Sequence, residues 1–202
     1  MLQATPKSLT FAEFLEQDHP DGILYDLLAD GSLVAVPSEA EINSAIVMIL
    51  LEYLMAYIQL RLAKVSVLEL EVIPTGDNKR NRRPDLAILE PAHLTIDSLT
   101  SCTALFLGAL PPRFVVEVVS PGNTDSENYQ RDYIWKRQQY QDWGIPEYWI
   151  IDPHRTQVNV LFLVNGSYQS KTYQGPTPIH SLEFPELQIT ATQLFADVES
   201  LT

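Results

Sequence analysis

The stretch from Phe114 to Pro153 decides the fold. It begins Phe-Val-Val-Glu-Val-Val-Ser-Pro, continues through a polar run with helical spacing, and ends Gly-Ile-Pro-Glu-Tyr-Trp-Ile-Ile-Asp-Pro. The apolar, β-branched run from Phe114 to Val119 is typical of a strand buried on both faces. Glu117 lies in the middle of this run, and a buried carboxylate is costly unless it is paired or binds a metal. The strand therefore carries either a structural ion pair or the chemistry of the protein, and we favour the chemistry.

The composition predicts one domain over residues 1–202, with its core at about residues 38–152. The 202 residues are 46% hydrophobic, which is enough for a sizeable core. The single cysteine, Cys102, excludes an internal disulfide framework and a Cys-rich zinc site, and it fits a reducing, cytoplasmic setting. We expect no signal peptide and no membrane span, because the longest apolar segment, residues 45–60, is short and interrupted by polar residues.

The net charge of −13 argues against indiscriminate binding of nucleic acid, which depends on neutralising phosphates. The basic residues are nevertheless clustered. The loop cluster consists of Lys79, Arg80, Arg82 and Arg83, and the helix cluster consists of Arg131, Lys136 and Arg137. Apart from Lys136, these residues and Tyr140 are candidate substrate contacts, although a solvated loop is an alternative interpretation of the loop cluster taken alone.

The sequence pattern of the first half of the chain predicts two helices, a hairpin and two further strands. Capping-box patterns at Thr10 to Glu13 and at Ser38 to Glu41 each predict a helix start. The pattern predicts a hairpin from residues 23–28 and 32–36, a strand over residues 65–73, a polar turn over 74–83 and a strand over 84–89. The predicted buried stripe of the second helix consists of Ile42, Ala45, Ile46, Ile49, Tyr53 and Tyr57.

The second half predicts a long polar helix and more strands. Residues 90–110 show little periodicity, and we expect loops with one short helix. The remaining predictions are a helix over residues 126–143 ended by Gly144, a strand over 147–151, a hairpin of 157–164 and 167–173 across Asn165-Gly166, a short strand at 187–189 and a helical turn at 192–195. This order predicts an α/β (α+β) fold with a central mixed sheet.

Three residues form a candidate catalytic site. Asp85 opens one strand, Glu117 lies within the next, and Lys136 follows on the polar helix, one turn from both Asp132 and Tyr140. Two carboxylates from neighbouring strands suit Mg²⁺, with Mn²⁺ as a substitute. A lysine beside such a metal orients or deprotonates the attacking water, or stabilises charge on a phosphate. This combination predicts metal-assisted hydrolysis of a phosphodiester.

The same residues carry a resemblance to a known family. Pro84-Asp85, followed by a glutamate inside an apolar strand, resembles the PD-(D/E)XK nuclease superfamily with its restriction-endonuclease-like αβββαβ core. The segment from Val116 to Pro121, with Asp132, Lys136, Tyr140 and the stretch from Gly144 to Pro153, resembles the Uma family of restriction-endonuclease-like proteins. The resemblance covers roughly Phe11 to Phe195.

The resemblance implies roles for individual residues. Asp85 and Glu117 correspond to the metal ligands, and Glu41, with Glu39 as an alternate and Asn43 close by, corresponds to a supporting acid of the first core helix. The superfamily pattern places its lysine two residues after the glutamate, where this chain has Val119. Lys136 corresponds to a lysine supplied by the following helix instead. The implied substrate is DNA, and the implied assembly is a homodimer.

Each candidate also has a structural interpretation. Asp85 after a proline is common in turns, Glu117 fits a buried ion pair, Lys136 fits a solvated pair with Asp132, and Glu41 fits the start of a helix. A scaffold that binds nucleic acid or protein without turnover is therefore the alternative function. A third is an oligomerisation domain that packs the helix of residues 42–57 and the strand of residues 147–151 between subunits.

Overall fold

The computed structural model describes residues 8–18, 23–36, 41–95 and 103–196. The strands are β1 (Tyr25–Leu27), β2 (Leu33–Ala35), β3 (Ala63–Val65), β4 (Glu69–Glu71), β5 (Asn81–Arg82), β6 (Leu86–Ile88), β7 (Ala104–Leu105), β8 (Phe114–Val118), β9 (Glu147–Asp152), β10 (Gln157–Val164) and β11 (Ser167–Gln174). The helices are α1 (Phe11–Leu15), α2 (Glu41–Leu54), α3 (segments Glu127–Gln130, Arg131–Trp135 and Lys136–Trp143) and α4 (Ala191–Ala196), with 3₁₀ turns at Leu60–Leu62 and Pro91–Thr95.

A six-stranded mixed sheet in the order β11-β10-β9-β8-β6-β3 forms the centre of the fold. Its neighbours pair antiparallel except for β8 and β9, which are parallel and are joined by α3. The succession α2, β3, β6, β8, α3, β9 is the predicted αβββαβ core, and helices flank the sheet. The predicted restriction-endonuclease-like fold is confirmed.

Local signals place several element boundaries where they were predicted. Thr10 and Glu13 form the expected capping box of α1, and Gly144 ends α3 with a φ of 85°. Asn165 and Gly166 both have positive φ, as a two-residue turn between β10 and β11 requires. The second predicted capping box begins at residues 38–40, which lie outside the described residues; α2 is described from Glu41.

The strand predicted over residues 65–73 is wrong as a single element. The chain turns at Ser66, whose φ is 52°, so that β3 joins the large sheet while β4 pairs with β5 and β7 in a separate three-stranded sheet. β7 was predicted as loop, because a two-residue strand leaves no periodicity to detect. The strand predicted at residues 187–189 is also absent from the described residues, where only an isolated bridge between Pro178 and Thr190 occurs nearby.

The buried face of α2 differs from the predicted stripe. Ile46 is buried as expected, but Ile42, Ile49 and Tyr53 are only partly buried. The inward face consists of Asn43, Ile46, Val47, Leu50, Leu51 and Leu54. Because the helix is apolar on most sides, its hydrophobic pattern does not distinguish the buried face from the adjacent, partly exposed face. The pattern also does not predict the polar Asn43 on the buried face.

All six residues of β9 are buried between β8 and β10. This strand is therefore not available for the subunit packing proposed in the oligomerisation hypothesis. In the described part of the chain, no helix is both long and apolar enough to cross a membrane.

Candidate active site

The site lies where β6 begins and β8 ends. Leu86 pairs with Val116, so one further step of the same register places Asp85 opposite Glu117. Directly opposed residues of antiparallel strands project to the same face of the sheet. The register of two adjacent strands thus brings the two predicted carboxylates together.

The proline before Asp85 helps to end the backbone hydrogen bonding between β6 and β8 at this point. Continuing the register would place Pro84 opposite Val118, and proline has no N–H to donate to the Val118 carbonyl. Side chains pair with Val118 instead. Its N–H donates to Oδ2 of Asp85 at 2.6 Å, and its carbonyl accepts a hydrogen bond from Nδ2 of Asn43 at 3.3 Å. The end of β8 is therefore held by polar side chains from β6 and α2.

Glu117 is 1% exposed and both of its oxygens accept hydrogen bonds from α3. Nζ of Lys136 donates to Oε2 at 2.6 Å, and the hydroxyl of Tyr140 donates to Oε1 at 2.5 Å. Burial, reinforced by the charge of Glu117, raises the pKa of Tyr140 well above its ordinary value, so the phenol remains protonated. The carboxylate is thus fixed in place by two donors one helical turn apart.

The first turns of α3 supply the other charges. Nζ of Lys136 also lies 3.0 Å from Oδ1 of Asp132, which is 1% exposed. Although burial opposes ionisation of both groups, their mutual attraction and the neighbouring charges raise the pKa of Lys136 and lower the pKa of Asp132. Residues Arg131–Trp135 form a π-helical segment, a distortion that often occurs at functional sites and re-aims the side chains around it.

Arg131 extends the site toward solvent. Its guanidinium donates to both oxygens of Asp132 at 2.9 Å and also contacts Ser120 and Asn128. The carboxylates of Asp132, Glu117 and Asp85 raise the pKa of Arg131 despite its partial burial. Three carboxylates and two cations therefore share one small volume, and the balance of charge there is negative.

A cleft of about 700 Å³ opens onto this group. Its cationic lining residues are Lys79, Arg82, Arg83, Arg131 and Lys136. Asp26, Asp85 and Asn43 add polar groups, and the remaining lining is largely apolar. The cleft therefore brings members of both predicted basic clusters together with the predicted carboxylate of Asp85, just before β6.

Each cation of the loop cluster is paired with a carboxylate. The pairs are Lys79 with Asp26 at 2.6 Å, Arg80 with Glu71 at 3.7 Å, Arg82 with Asp77 at 2.8 Å, and Arg83 with Glu69. Arg82 is 3% exposed and also donates to Gln139 of α3 at 2.7 Å. The loop cluster is thus neither a solvated loop nor an uncompensated basic surface.

Five predicted site residues are not part of the cleft lining: the buried Glu117 described above and four others. Glu41 is exposed at the first position of α2, and Arg80 also lies outside the lining. Arg137 donates to the carbonyl of Tyr168, on β11. Tyr140 is fully buried and reaches Glu117, so its observed position suits support of the carboxylate rather than the predicted contact with substrate.

Sequence reasoning gave no role to Asn43, which is 3% exposed and lines the cleft. The signal that could have identified it is a single polar residue on the inward face of an apolar helix. It also missed Gln139 of α3, which accepts a hydrogen bond from Arg82 of the loop cluster and donates one to the carbonyl of Ile73.

The chemistry of the donors fits a hydrated Mg²⁺ ion. Among the described residues, no three Asp, Glu, His or Cys side chains are grouped closely enough to enclose a metal. Mg²⁺ in phosphate-processing sites commonly takes only one or two carboxylates and keeps several waters. Asp85 and Glu117 supply that number, and among the described residues Oδ1 of Asn43 is buried without a hydrogen-bond partner.

The αβββαβ core, with an aspartate and a glutamate on adjacent strands and a lysine from the next helix, defines a protein of the restriction-endonuclease-like class. The model of the Uma2 family, described as a putative restriction endonuclease, matches residues 11–192. This chain belongs to the Uma2 family.

A solved structure supports the fold. The crystal structure of a putative nuclease belonging to DUF820 from Anabaena variabilis superposes with a TM-score of 0.64 at 16% sequence identity. The match covers 94% of this chain and 99% of that chain. No curated protein sequence matches the chain.

Proposed function

We propose that this protein is a Mg²⁺-dependent endonuclease that hydrolyses phosphodiester bonds of DNA. The observation that carries the proposal is the contact of Lys136 with Glu117 at 2.6 Å. This contact brings a lysine from α3 to the strand carboxylate, whereas Val119, at the position of the usual lysine, is 1% exposed and packs in the core. Membership of a putative restriction endonuclease family and the similarity to the solved structure of a putative nuclease support the same activity.

The raised pKa of Lys136 supports the second of its two predicted roles, the stabilisation of charge on the phosphate. The neighbouring Asp132 and Glu117 outweigh burial and keep the ammonium protonated at neutral pH. A protonated lysine cannot abstract a proton from water. It donates hydrogen bonds and offsets negative charge, which stabilises the phosphorane-like transition state of phosphodiester hydrolysis.

Asp85 and Glu117 would hold the cation. When bound, Mg²⁺ lowers the pKa of a coordinated water and offsets charge on the phosphate. Asp85 is anchored by the N–H of Val118, and Glu117 by Lys136 and Tyr140, so both carboxylates are pre-oriented. Such preorganisation reduces the reorganisation needed in the transition state.

The cleft supplies the path for the DNA backbone. Lys79, Arg83 and Arg131 line it and can exchange their carboxylate partners for phosphate oxygens. Their contacts with phosphates would be independent of base sequence. This predicts backbone-dominated binding whose affinity falls with salt.

The test is cleavage of supercoiled plasmid, linear duplex, single-stranded and branched DNA in Mg²⁺ and Mn²⁺, with Asp85→Asn purified in parallel. We expect cleavage by the wild type and a loss of at least about a hundredfold in the variant, because one of two carboxylate ligands is neutralised. The variant should retain the wild-type circular dichroism spectrum. Equal cleavage by both proteins would overturn the assignment of Asp85.

A nucleic-acid- or protein-binding module without turnover is the second candidate. It is favoured by the carboxylate partners of the cleft cations and by Val119 at the lysine position. Binding of DNA in Ca²⁺, combined with no cleavage of any substrate and no Mn²⁺ binding, would favour this module over the endonuclease.

A further inference from the structure

Asn43 is a polar exception on the buried face of α2. The other inward residues of this helix are aliphatic, among them Ile46, Val47 and Leu50, and all are within the core. Asn43 is equally buried, at 3% exposure, yet it lines the cleft rather than the core interior. A residue of this kind is retained inside a helix interface only where its amide has partners.

The NH₂ group of the Asn43 amide has a hydrogen-bond partner. Nδ2 donates to the carbonyl of Val118 at 3.3 Å, and this contact fixes which end of the amide is the oxygen, since a flipped amide would oppose two oxygens. The N–H of the same Val118 donates to Asp85. Asn43 and Asp85 therefore bind the two backbone groups of one residue, immediately after Glu117.

The carbonyl oxygen of the same amide is different. Oδ1 of Asn43 is buried and has no hydrogen-bond partner among the described residues. An unpaired buried amide oxygen is unfavourable, so beside the cleft this atom is available to a partner from outside the chain, either a water or a ligand. The partner of an amide oxygen is a hydrogen-bond donor or a cation.

The charges nearby favour a cation. Asp85, Glu117 and Asp132 already place three carboxylates beside two cations, Lys136 and Arg131. A neutral amide oxygen adds a ligand for a hard divalent cation without adding a fourth negative charge to this group. Glu41 would add that charge, and it is exposed and outside the lining of the cleft.

We propose that Oδ1 of Asn43 is the third protein oxygen ligand of the divalent-cation site, in the place that the resemblance gave to Glu41. The proposal rests on the proposed function for the location of the cation. The hydrogen bond from Nδ2 to the Val118 carbonyl would then orient the amide so that Oδ1 is directed at the bound ion.

The experiment is calorimetric titration of the full chain with Mn²⁺, without DNA. Asn43→Ala removes both amide atoms and should weaken Mn²⁺ binding about tenfold. Asn43→Asp removes the donor to Val118 but keeps an oxygen and adds charge, so it should bind Mn²⁺ at least as tightly as the wild type.

Asn128→Asp is the matched control. Asn128 also lines the cleft, and its Nδ2 also donates to a backbone carbonyl, that of Pro121, but its Oδ1 already accepts from Arg131. This variant adds the same charge and loses the same kind of donor without altering a cation ligand. We expect a change in Mn²⁺ affinity of less than about twofold, as for a charge outside the coordination sphere. Glu41→Gln should leave the affinity unchanged.

The outcomes are separable. If Asn43→Ala and Asn43→Asp weaken Mn²⁺ binding equally, Asn43 acts only by bracing Val118, and the proposal is overturned. It is also overturned if Asn43→Ala binds like the wild type, or if Asn128→Asp tightens binding as much as Asn43→Asp. Asp85→Asn tests the location of the cation: unchanged Mn²⁺ affinity in that variant would refute the proposed function itself, whatever the Asn43 variants do.

Discussion

The two basic clusters look alike in the sequence and differ in the structure. In the loop cluster, four cations meet four separate carboxylates, one partner each. In the helix cluster, Arg131 and Lys136 share Asp132, and Lys136 also binds Glu117, with Asp85 close enough to affect the pKa of both cations. The loop cluster is therefore balanced, whereas Arg131 and Lys136 of the helix cluster face an excess of carboxylate; the third member, Arg137, donates to the carbonyl of Tyr168 instead.

This difference has a consequence for ligands. A balanced group of ion pairs has no net charge to offer and serves mainly to hold the loop to its neighbours. A group with excess buried carboxylate is stabilised by an added cation, which lowers the repulsion among the acids. The comparison supports our proposal of a metal site beside Arg131 and Lys136, and it predicts a mainly structural role for the ion pairs of the loop cluster.

The largest expected effect is on catalysis by the helix cluster. Lys136→Met should reduce the cleavage rate about a hundredfold to a thousandfold, because a positioned cation at the reacting phosphate is lost. It should weaken Mn²⁺ binding much less, since the carboxylate ligands remain. Arg80→Met, in the loop cluster but outside the cleft lining, should change the rate by less than about twofold.

The measurements are single-turnover cleavage and Mn²⁺ titration, at a temperature where circular dichroism shows both variants folded. Equal losses of rate and of metal affinity in Lys136→Met would mean that the lysine acts by holding Glu117 rather than at the phosphate.

The second effect is on stability and belongs to the loop cluster. Arg82 and Asp77 have side chains only 3% and 4% exposed. Asp77→Asn leaves a buried guanidinium without its counter-charge and should lower the free energy of unfolding by about 3–5 kcal/mol. Glu71→Gln breaks the more exposed pair with Arg80 and should cost no more than about 1 kcal/mol. Urea denaturation checks both, and similar costs would contradict the structural role of the buried pair.

The fold was predictable because its signals are local. The apolar run of β8, the helix stop at Gly144 and the Asn165-Gly166 turn each act within a few residues, and each occurs as predicted. The break at Ser66 was not predictable, because a non-glycine residue with positive φ has no reliable mark in the sequence.

The site was predictable only in part. Asp85, Glu117 and Lys136 are brought together as predicted, since strand register and helix spacing position them. The partners of the basic residues were not predictable. Lys79 meets Asp26 and Arg82 meets Gln139 across more than fifty positions of the chain, and such contacts depend on tertiary packing rather than on local pattern.

The third effect is on the pH dependence of stability, where Glu69 of the loop cluster and Asp132 beside the helix cluster should contribute opposite slopes. Burial outweighs Arg83 and raises the pKa of Glu69 above 4.5, so Glu69 lowers stability as pH rises from 4.5 through its folded pKa. The pKa of Asp132 is lowered below 3.8, so Asp132 adds stability that is lost as pH falls from 3.8 through its folded pKa.

Denaturation across pH 3–7 tests this. Glu69→Gln should reduce the negative slope above pH 4.5, to which Glu147 also contributes because burial raises its pKa. Asp132→Asn should reduce the positive slope at the acid end, to which Asp77 also contributes because Arg82 lowers its pKa despite burial. If the free energy of unfolding falls above pH 4.5 as steeply in Glu69→Gln as in the wild type, another carboxyl group causes that fall.

The smallest expected effect is on binding of DNA by the loop cluster. Lys79 lines the cleft and is paired with Asp26 at 2.6 Å, so Asp26→Asn should release its ammonium toward the phosphates. We expect DNA to bind a few-fold more tightly in Ca²⁺, with the slope of log K against log salt steeper by about one, as for one added phosphate contact.

The control is Glu52→Gln, on α2 beside a separate cavity with Ile49 and Tyr53. It makes the same change in net charge and should leave the slope as it is. If both variants strengthen binding equally, net charge alone is responsible. If neither does, Lys79 has only a structural role, and the proposed DNA path is confined to the helix cluster, beside the proposed metal site.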